Sequence, residues 1–147
     1  MKIVIGSDHG GHYLKTAVVE HLKSTGVEVV DLGTNDATTS VDYPDYAKKV
    51  VMQVVGQPDT LGILICGTGI GMSITANKFR GARAAVVSDT FSARMSRVHN
   101  DANILCLGGR VVGPGLGIDI VNTWLNAKYE GGRHAKRLEK IFEIENK

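Results

Sequence analysis

An α/β sandwich, one five-stranded parallel sheet with helices on both faces, is predicted by three features of the chain. Five short runs of apolar, β-branched residues recur along its 147 residues. Segments with a helical apolar period alternate with them, as the crossovers of parallel strands require. The runs are apolar throughout rather than at alternate positions, as strands buried on both faces are. The expected architecture is a three-layer, Rossmann-like single domain spanning residues 1–147, with strand order 2-1-3-4-5 and an extra C-terminal helix.

The first strand, Lys2–Ile5, runs into Gly6-Ser7-Asp8-His9-Gly10-Gly11. The helix after it carries Tyr13, Leu14, Ala17, Val18 and Leu22 on one face and stops at Gly26. Val27–Leu32 is the second strand, and Gly33–Val41 reads as an exposed loop. Ala47, Val50, Val51 and Val54 give the next helix its apolar face, with Gly56 as its stop. The remaining strands are Gly62–Cys66, Arg83–Ser88 and Asn103–Gly108. Phe91, Ala93, Met95 and Val98 mark a helix before the last strand, and Ile118, Ile120, Val121, Trp124 and Leu125 one after it. The final helix, Arg133–Glu145, carries an apolar stripe of Leu138, Ile141, Phe142 and Ile144 and has no strand after it. Such a helix packs on its own domain or on a partner subunit, so residues 133–147 are a candidate oligomer contact.

A net charge of +2 with 22% charged residues gives no basic field of the kind that nucleic-acid binding needs. The apolar run at the start is too short for a signal peptide, and none is long enough to span a membrane. The chain therefore reads as soluble and cytoplasmic. Cys66 and Cys106 lack a C-x-x-C spacing and read as reduced thiols rather than zinc ligands or a disulfide framework.

In open parallel sheets the ligand crevice lies beyond the carboxyl ends of the strands. That rule selects Gly6–Gly11, Cys66–Gly71 and Gly108–Arg110. The stretch Cys66-Gly67-Thr68-Gly69-Ile70-Gly71 lacks the third glycine of a dinucleotide fingerprint and the lysine of a P-loop. It still offers several unobstructed backbone N–H groups and the positive end of a helix dipole, which suit an anion and stabilise negative charge on Cys66. The bland alternative is a small buried hydrophobe at a strand end. Asp8 either binds a polar ligand, with His9, or caps the helix near Gly11. His9 and His12 share a metal-like spacing, but two glycines intervene and no second ligand cluster accompanies them. Arg133 and Arg137 project from one helical face and suit a phosphate dianion, or form a solvated basic face with Lys136 and Lys140. His99 is a helix-end dipole partner or a catalytic group.

Taken together, Gly6–Gly11, Asp42-Tyr43-Pro44, Ile65–Gly71, Asn77-Lys78, His99-Asn100-Asp101, Gly108–Gly113 and Tyr129–His134 closely resemble the type B ribose-5-phosphate isomerase family, whose wider membership includes galactose-6-phosphate isomerase subunits. The resemblance spans essentially the whole chain. It implies a cofactor-free and metal-free aldose–ketose isomerase acting on ribose 5-phosphate and ribulose 5-phosphate through an enediolate, in homodimers with shared sites that could pair into tetramers. It implies Cys66 as the base and His99 as the ring-opening acid. Gly67, Thr68, Gly69, Ile70, Gly71 and Ser73 match the loop that holds the enediolate oxygen. Asp8 and Asn100 match sugar-hydroxyl contacts. His9, Arg110, Arg133 and Arg137 match phosphate contacts, with His99, Asn100 and Arg110 expected from the partner subunit. Two alternatives stand beside this reading: an isomerase of a six-carbon sugar phosphate such as allose 6-phosphate or galactose 6-phosphate, and a non-catalytic sugar-phosphate-binding regulator.

Overall fold

The computed structural model describes residues 1–147. Its strands are β1 (Lys2–Ser7), β2 (Glu28–Asp31), β3 (Thr60–Cys66), β4 (Ala84–Val86) and β5 (Ile104–Gly108), all in parallel pairing. Its helices are α1 (His12–Ser24), α2 (Tyr43–Val54), α3 (Ile70–Ala76), α4 (Thr90–Val98), α5 (Pro114–Asn126) and α6 (Arg133–Glu145). A 3-10 turn, His9–Gly11, leads into α1. The five parallel strands and the C-terminal helix agree with expectation, although β2 and β4 are shorter than the apolar runs that announced them.

The strand order is β2-β1-β3-β5-β4, which corrects the expected 2-1-3-4-5. Burial gives the reason. All five residues of β5 are buried, whereas β4 is three residues long and none of them is buried. The more apolar strand takes the interior position beside β3, and the short one is left at the edge, where a sheet tolerates it. The chain passes from β3 to the edge and returns, and this reversal has a consequence for the helices. Crossovers between parallel strands are right-handed, so the direction of each step fixes the face on which its helix lies. The steps β2 to β3 and β3 to β4 run one way and place α2 and α3 on one face. The steps β1 to β2 and β4 to β5 run the other way and place α1 and α4 opposite, where α5 joins them.

The two cores follow the alternation of each strand. Ile3, Ile5, Ile63, Ile65, Leu105 and Leu107 point to the α1/α4/α5 face, where they meet Leu14, Val18 and the fully buried Trp124. Val4, Leu64, Cys66, Ile104 and Cys106 point to the α2/α3 face and meet Ala47, Val50, Val54 and Met72. Each large aliphatic side chain buried this way contributes about 1.5–3 kcal/mol. Cys66 therefore ends its strand on the α2/α3 side, against the start of α3.

Helix α6 lies across the amino end of the sheet. His134 and Leu138 are buried within the same chain, and Glu145 accepts a hydrogen bond from the Gly81 N–H at 3.0 Å. Ile141 and Ile144 of the same stripe stay exposed. The helix thus packs on its own chain through one side and leaves apolar surface on the other.

The free edge of β4 is closed by a side chain. The Asn77 amide donates to the Ala84 carbonyl and accepts from the Ala84 N–H, both at 2.9 Å, and so imitates a neighbouring strand. Asn77→Ala is expected to cost about 1–3 kcal/mol, the sum of two modest hydrogen bonds, in denaturant unfolding followed by circular dichroism.

Candidate active site

Three loops meet at the carboxyl end of the sheet. Asp8 follows β1, and its Oδ1 accepts the Gly11 N–H at 3.1 Å, so the capping role weighed for it is the one its carboxylate makes here. Its backbone N–H donates to the Ile65 carbonyl at 3.2 Å, which ties this loop to β3. His9 is half-buried, and its Nδ1 accepts the Val41 N–H at 3.2 Å. That bond assigns the remaining ring hydrogen to Nε2, which can donate to a ligand. No group of three or more His, Cys, Asp or Glu side chains is gathered anywhere in the chain.

Cys66 is buried, and its Sγ accepts the Gly69 N–H at 3.1 Å. The loop can turn back on the sulfur because Gly69 sits at φ 80°, a left-handed conformation open to glycine. The Thr68 hydroxyl oxygen accepts the Ile70 N–H at 3.2 Å. The N–H groups of Gly67 and Thr68 have no partner in the chain, and that of Gly71 lies in the first turn of α3, where helices leave N–H groups unpaired. Ser73 does not belong to this set. Its N–H donates to the Gly69 carbonyl at 3.1 Å and its Oγ to the Ile70 carbonyl at 2.8 Å, so both donors are spent inside α3.

Tyr43, the first residue of α2, is the neighbour that sequence reasoning did not assign a role. Its ring lies so close over Gly71 that a Cβ there would fall 2.5–3.0 Å from ring and hydroxyl atoms. The signal was present as Asp42-Tyr43-Pro44 at a helix start, but nothing in a single sequence states that this start reaches α3. Arg110, expected with the partner's contribution, falls instead on the Cys66 side of its own chain. Its side chain lies against Gly67, and its N–H donates to the Gly67 carbonyl at 3.0 Å. Gly108 pairs with Cys66, so a residue two positions on could lie nowhere else.

The other expected residues gather at the opposite end of the sheet. α4 runs antiparallel to the strands and is nine residues long, so His99 at its carboxyl end lies roughly 13 Å from its start, below the amino ends of β4 and β5. The His99 ring stacks on His134 with centroids 4.3 Å apart and 21° between planes. Burial, and then the charges of His99 and Arg133, hold His134 below the ordinary histidine range against the opposing Glu130. Asn100 is exposed, and so are Arg133 and Arg137, one turn apart on α6. Asn100 opens onto a groove of about 740 Å³ that Asn77, Lys78, Ala84, Ile141 and Ile144 also line. One chain thus gathers the expected residues in two clusters: Asp8, His9, Cys66, Gly67–Gly71 and Arg110 with Tyr43 at one end, and His99, Asn100, Arg133 and Arg137 at the other.

Residues 3–141 match the family model described as Ribose/Galactose Isomerase. The chain belongs to this family. Among members of the ribose/galactose isomerase family, the ribose-5-phosphate isomerase B of Escherichia coli is 53% identical over 99% of this chain and 97% of its own. The solved structure of the Clostridium thermocellum ribose-5-phosphate isomerase B is 58% identical, with a TM-score of 0.95 over 99% of this chain and 98% of its own. That of the Mycoplasma genitalium ribose-5-phosphate isomerase B, determined with bound ribulose-5-phosphate, is 46% identical with a TM-score of 0.95, over 99% of this chain and 97% of its own.

The two thiols of this chain differ in kind. Cys106 is fully buried, and burial first, then the adjacent Cys66, push its thiol far above the ordinary range. Iodoacetamide at neutral pH is expected to label Cys66 at least about 100-fold faster than Cys106, because only the thiolate reacts. Peptide mass spectrometry of the folded protein checks this, and equal labelling would contradict the assignment.

Proposed function

We propose that this chain is an aldose–ketose isomerase that interconverts ribose 5-phosphate and ribulose 5-phosphate through an enediolate, with Cys66 as the base. The observation that carries the reading is the Cys66 sulfur at the lip of a loop of free backbone N–H groups. A carbon acid beside a carbonyl is weakly acidic, so its proton leaves only if a base and charge stabilisation at the oxygen are held in place together. Cys66 and the N–H groups of Gly67, Thr68 and Gly71 supply both.

The reaction begins with a closed furanose. His99 donates a proton to the ring oxygen as the bond from C1 to that oxygen breaks; the hydroxyl proton on C1 passes to water, and an aldehyde remains. The Cys66 thiolate then takes the proton from C2, and the electron pair moves to the carbonyl oxygen, where the loop N–H groups hold it. Return of that proton to C1, with transfer of the C2 hydroxyl proton to the oxygen on C1, leaves the ketone. Asp8 and Asn100 bind sugar hydroxyls. His9, Arg110, Arg133 and Arg137 bind the phosphate, where guanidinium forks match its oxygens.

His99 and Cys66 cannot meet in one chain, because the length of the sheet separates them. The active species is therefore a homodimer in which the amino-end half-site of one copy faces the carboxyl-end half-site of the other. The exposed Ile141 and Ile144 of α6 border the half-site that must be covered.

Purified protein is expected to convert ribose 5-phosphate to ribulose 5-phosphate, followed by ketose absorbance, and to act more weakly on allose 6-phosphate and galactose 6-phosphate. Tight binding without turnover would overturn the reading, and a stronger six-carbon rate would replace its substrate. Cys66→Ala is expected to lower kcat by at least about 10²–10⁴-fold while KM changes little, since a general base acts in the transition state. Arg137→Ala is expected mainly to raise KM.

A further inference from the structure

Lys15 is a buried lysine outside the site described so far. Its side chain is 2% exposed, and its Nζ lies 2.7 and 3.0 Å from the two carboxylate oxygens of Asp31. Lysine is almost never fully buried unless paired, and here the partner is the partly exposed carboxylate of Asp31.

The contacts of Asp31 run to the phosphate side of the site. Asp31 Oδ1, besides receiving Lys15, accepts the Gly33 N–H at 2.9 Å. The Gly33 carbonyl accepts the Ser7 N–H at 2.7 Å, and the Ser7 carbonyl accepts the Thr34 N–H at 2.7 Å. Ser7 immediately precedes Asp8 and His9. The loop that leaves Thr34 comes back at Val41, whose N–H donates to His9 Nδ1. The loop is thus fixed at its start by Asp31 and Ser7, and its end fixes the imidazole.

We infer that Asp31, the partner of Lys15, is a positioning residue for phosphate binding: its carboxylate holds Gly33, and so sets the loop whose Val41 N–H orients His9. The inference rests on the phosphate role proposed for His9. It assigns to Asp31 a hydrogen bond that an asparagine could also make. The charge of the pair is not what the site uses.

That distinction gives the test. Lys15→Met with Asp31→Asn removes both charges of the pair and keeps an acceptor for Gly33. Lys15→Met with Asp31→Ala removes the charges and the acceptor alike. The asparagine double is expected to hold KM for ribose 5-phosphate and the inhibition constant of inorganic phosphate within about twofold of the parent, and the alanine double to raise both about tenfold, with kcat little changed in either. Hydrogen exchange at the Val41 amide is expected to accelerate in the alanine double alone. Equal behaviour of the two doubles in exchange and kinetics overturns the inference, because stability loss alone would not separate them. Should these doubles fail to fold, Lys15→Gln with Asp31→Asn and Lys15→Gln with Asp31→Ala carry the same contrast with the same deciding results, again without an unpaired buried charge. His9→Ala keeps the two questions apart: an unchanged phosphate inhibition constant there sinks the phosphate role of His9, while the Val41 exchange contrast still decides whether Asp31 sets the loop.

Discussion

The polarity of a parallel sheet is the constraint from which the rest of this molecule follows. Every strand ends at one edge, so every strand-end loop gathers there, and every returning helix delivers its own carboxyl end to the opposite edge. Cys66 and Arg110 follow strands and share the first edge with Asp8 and His9. His99 and Asn100 follow a helix and lie at the second, where α6 adds Arg133 and Arg137. A chain of this size cannot fold one edge onto the other. Chemistry that needs both ends needs two chains.

Within the first edge, the sulfur and the loop depend on each other. Gly69 can donate its N–H to Cys66 because the backbone turns left-handed there, and α3 then starts with N–H groups left unpaired within the chain. Tyr43 lies against Gly71 from the α2 side. The contrast with Cys106 shows what position does to a thiol. Both side chains point to the same face of the sheet, but Cys106 lies inside the core, where its ionisation is suppressed, and Cys66 lies where the strand opens into N–H donors.

The candidate site residues at the carboxyl end of the sheet were legible because glycine loops at strand ends are local signals. Cys66–Gly71, Asp8 and His9 are placed as the carboxyl-end rule predicts. Relations set at a distance were less legible. The order of β4 and β5 depended on which of two apolar runs was shorter and less buried, a competition that each run's own composition states only weakly. Tyr43 needed the packing of α2 on α3 before its ring could be placed. Ser73 looked like a further loop donor until α3, beginning at Ile70, absorbed its N–H. Arg110 was expected among the partner's residues, and the pairing of Gly108 with Cys66, which the expected strand order did not contain, puts it on the Cys66 side of its own chain.

Subunit mixing measures directly whether the proposed site is completed across two copies. Cys66→Ala and His99→Ala proteins, each nearly inactive alone, are unfolded together in equal amounts and refolded. Random pairing puts half the dimers in the mixed form, each with one site free of both substitutions, so activity is expected to return to about a quarter of the parent value. Activity no greater than the sum of the two variants, in a mixture shown by mass spectrometry to contain mixed dimers, would contradict the shared site.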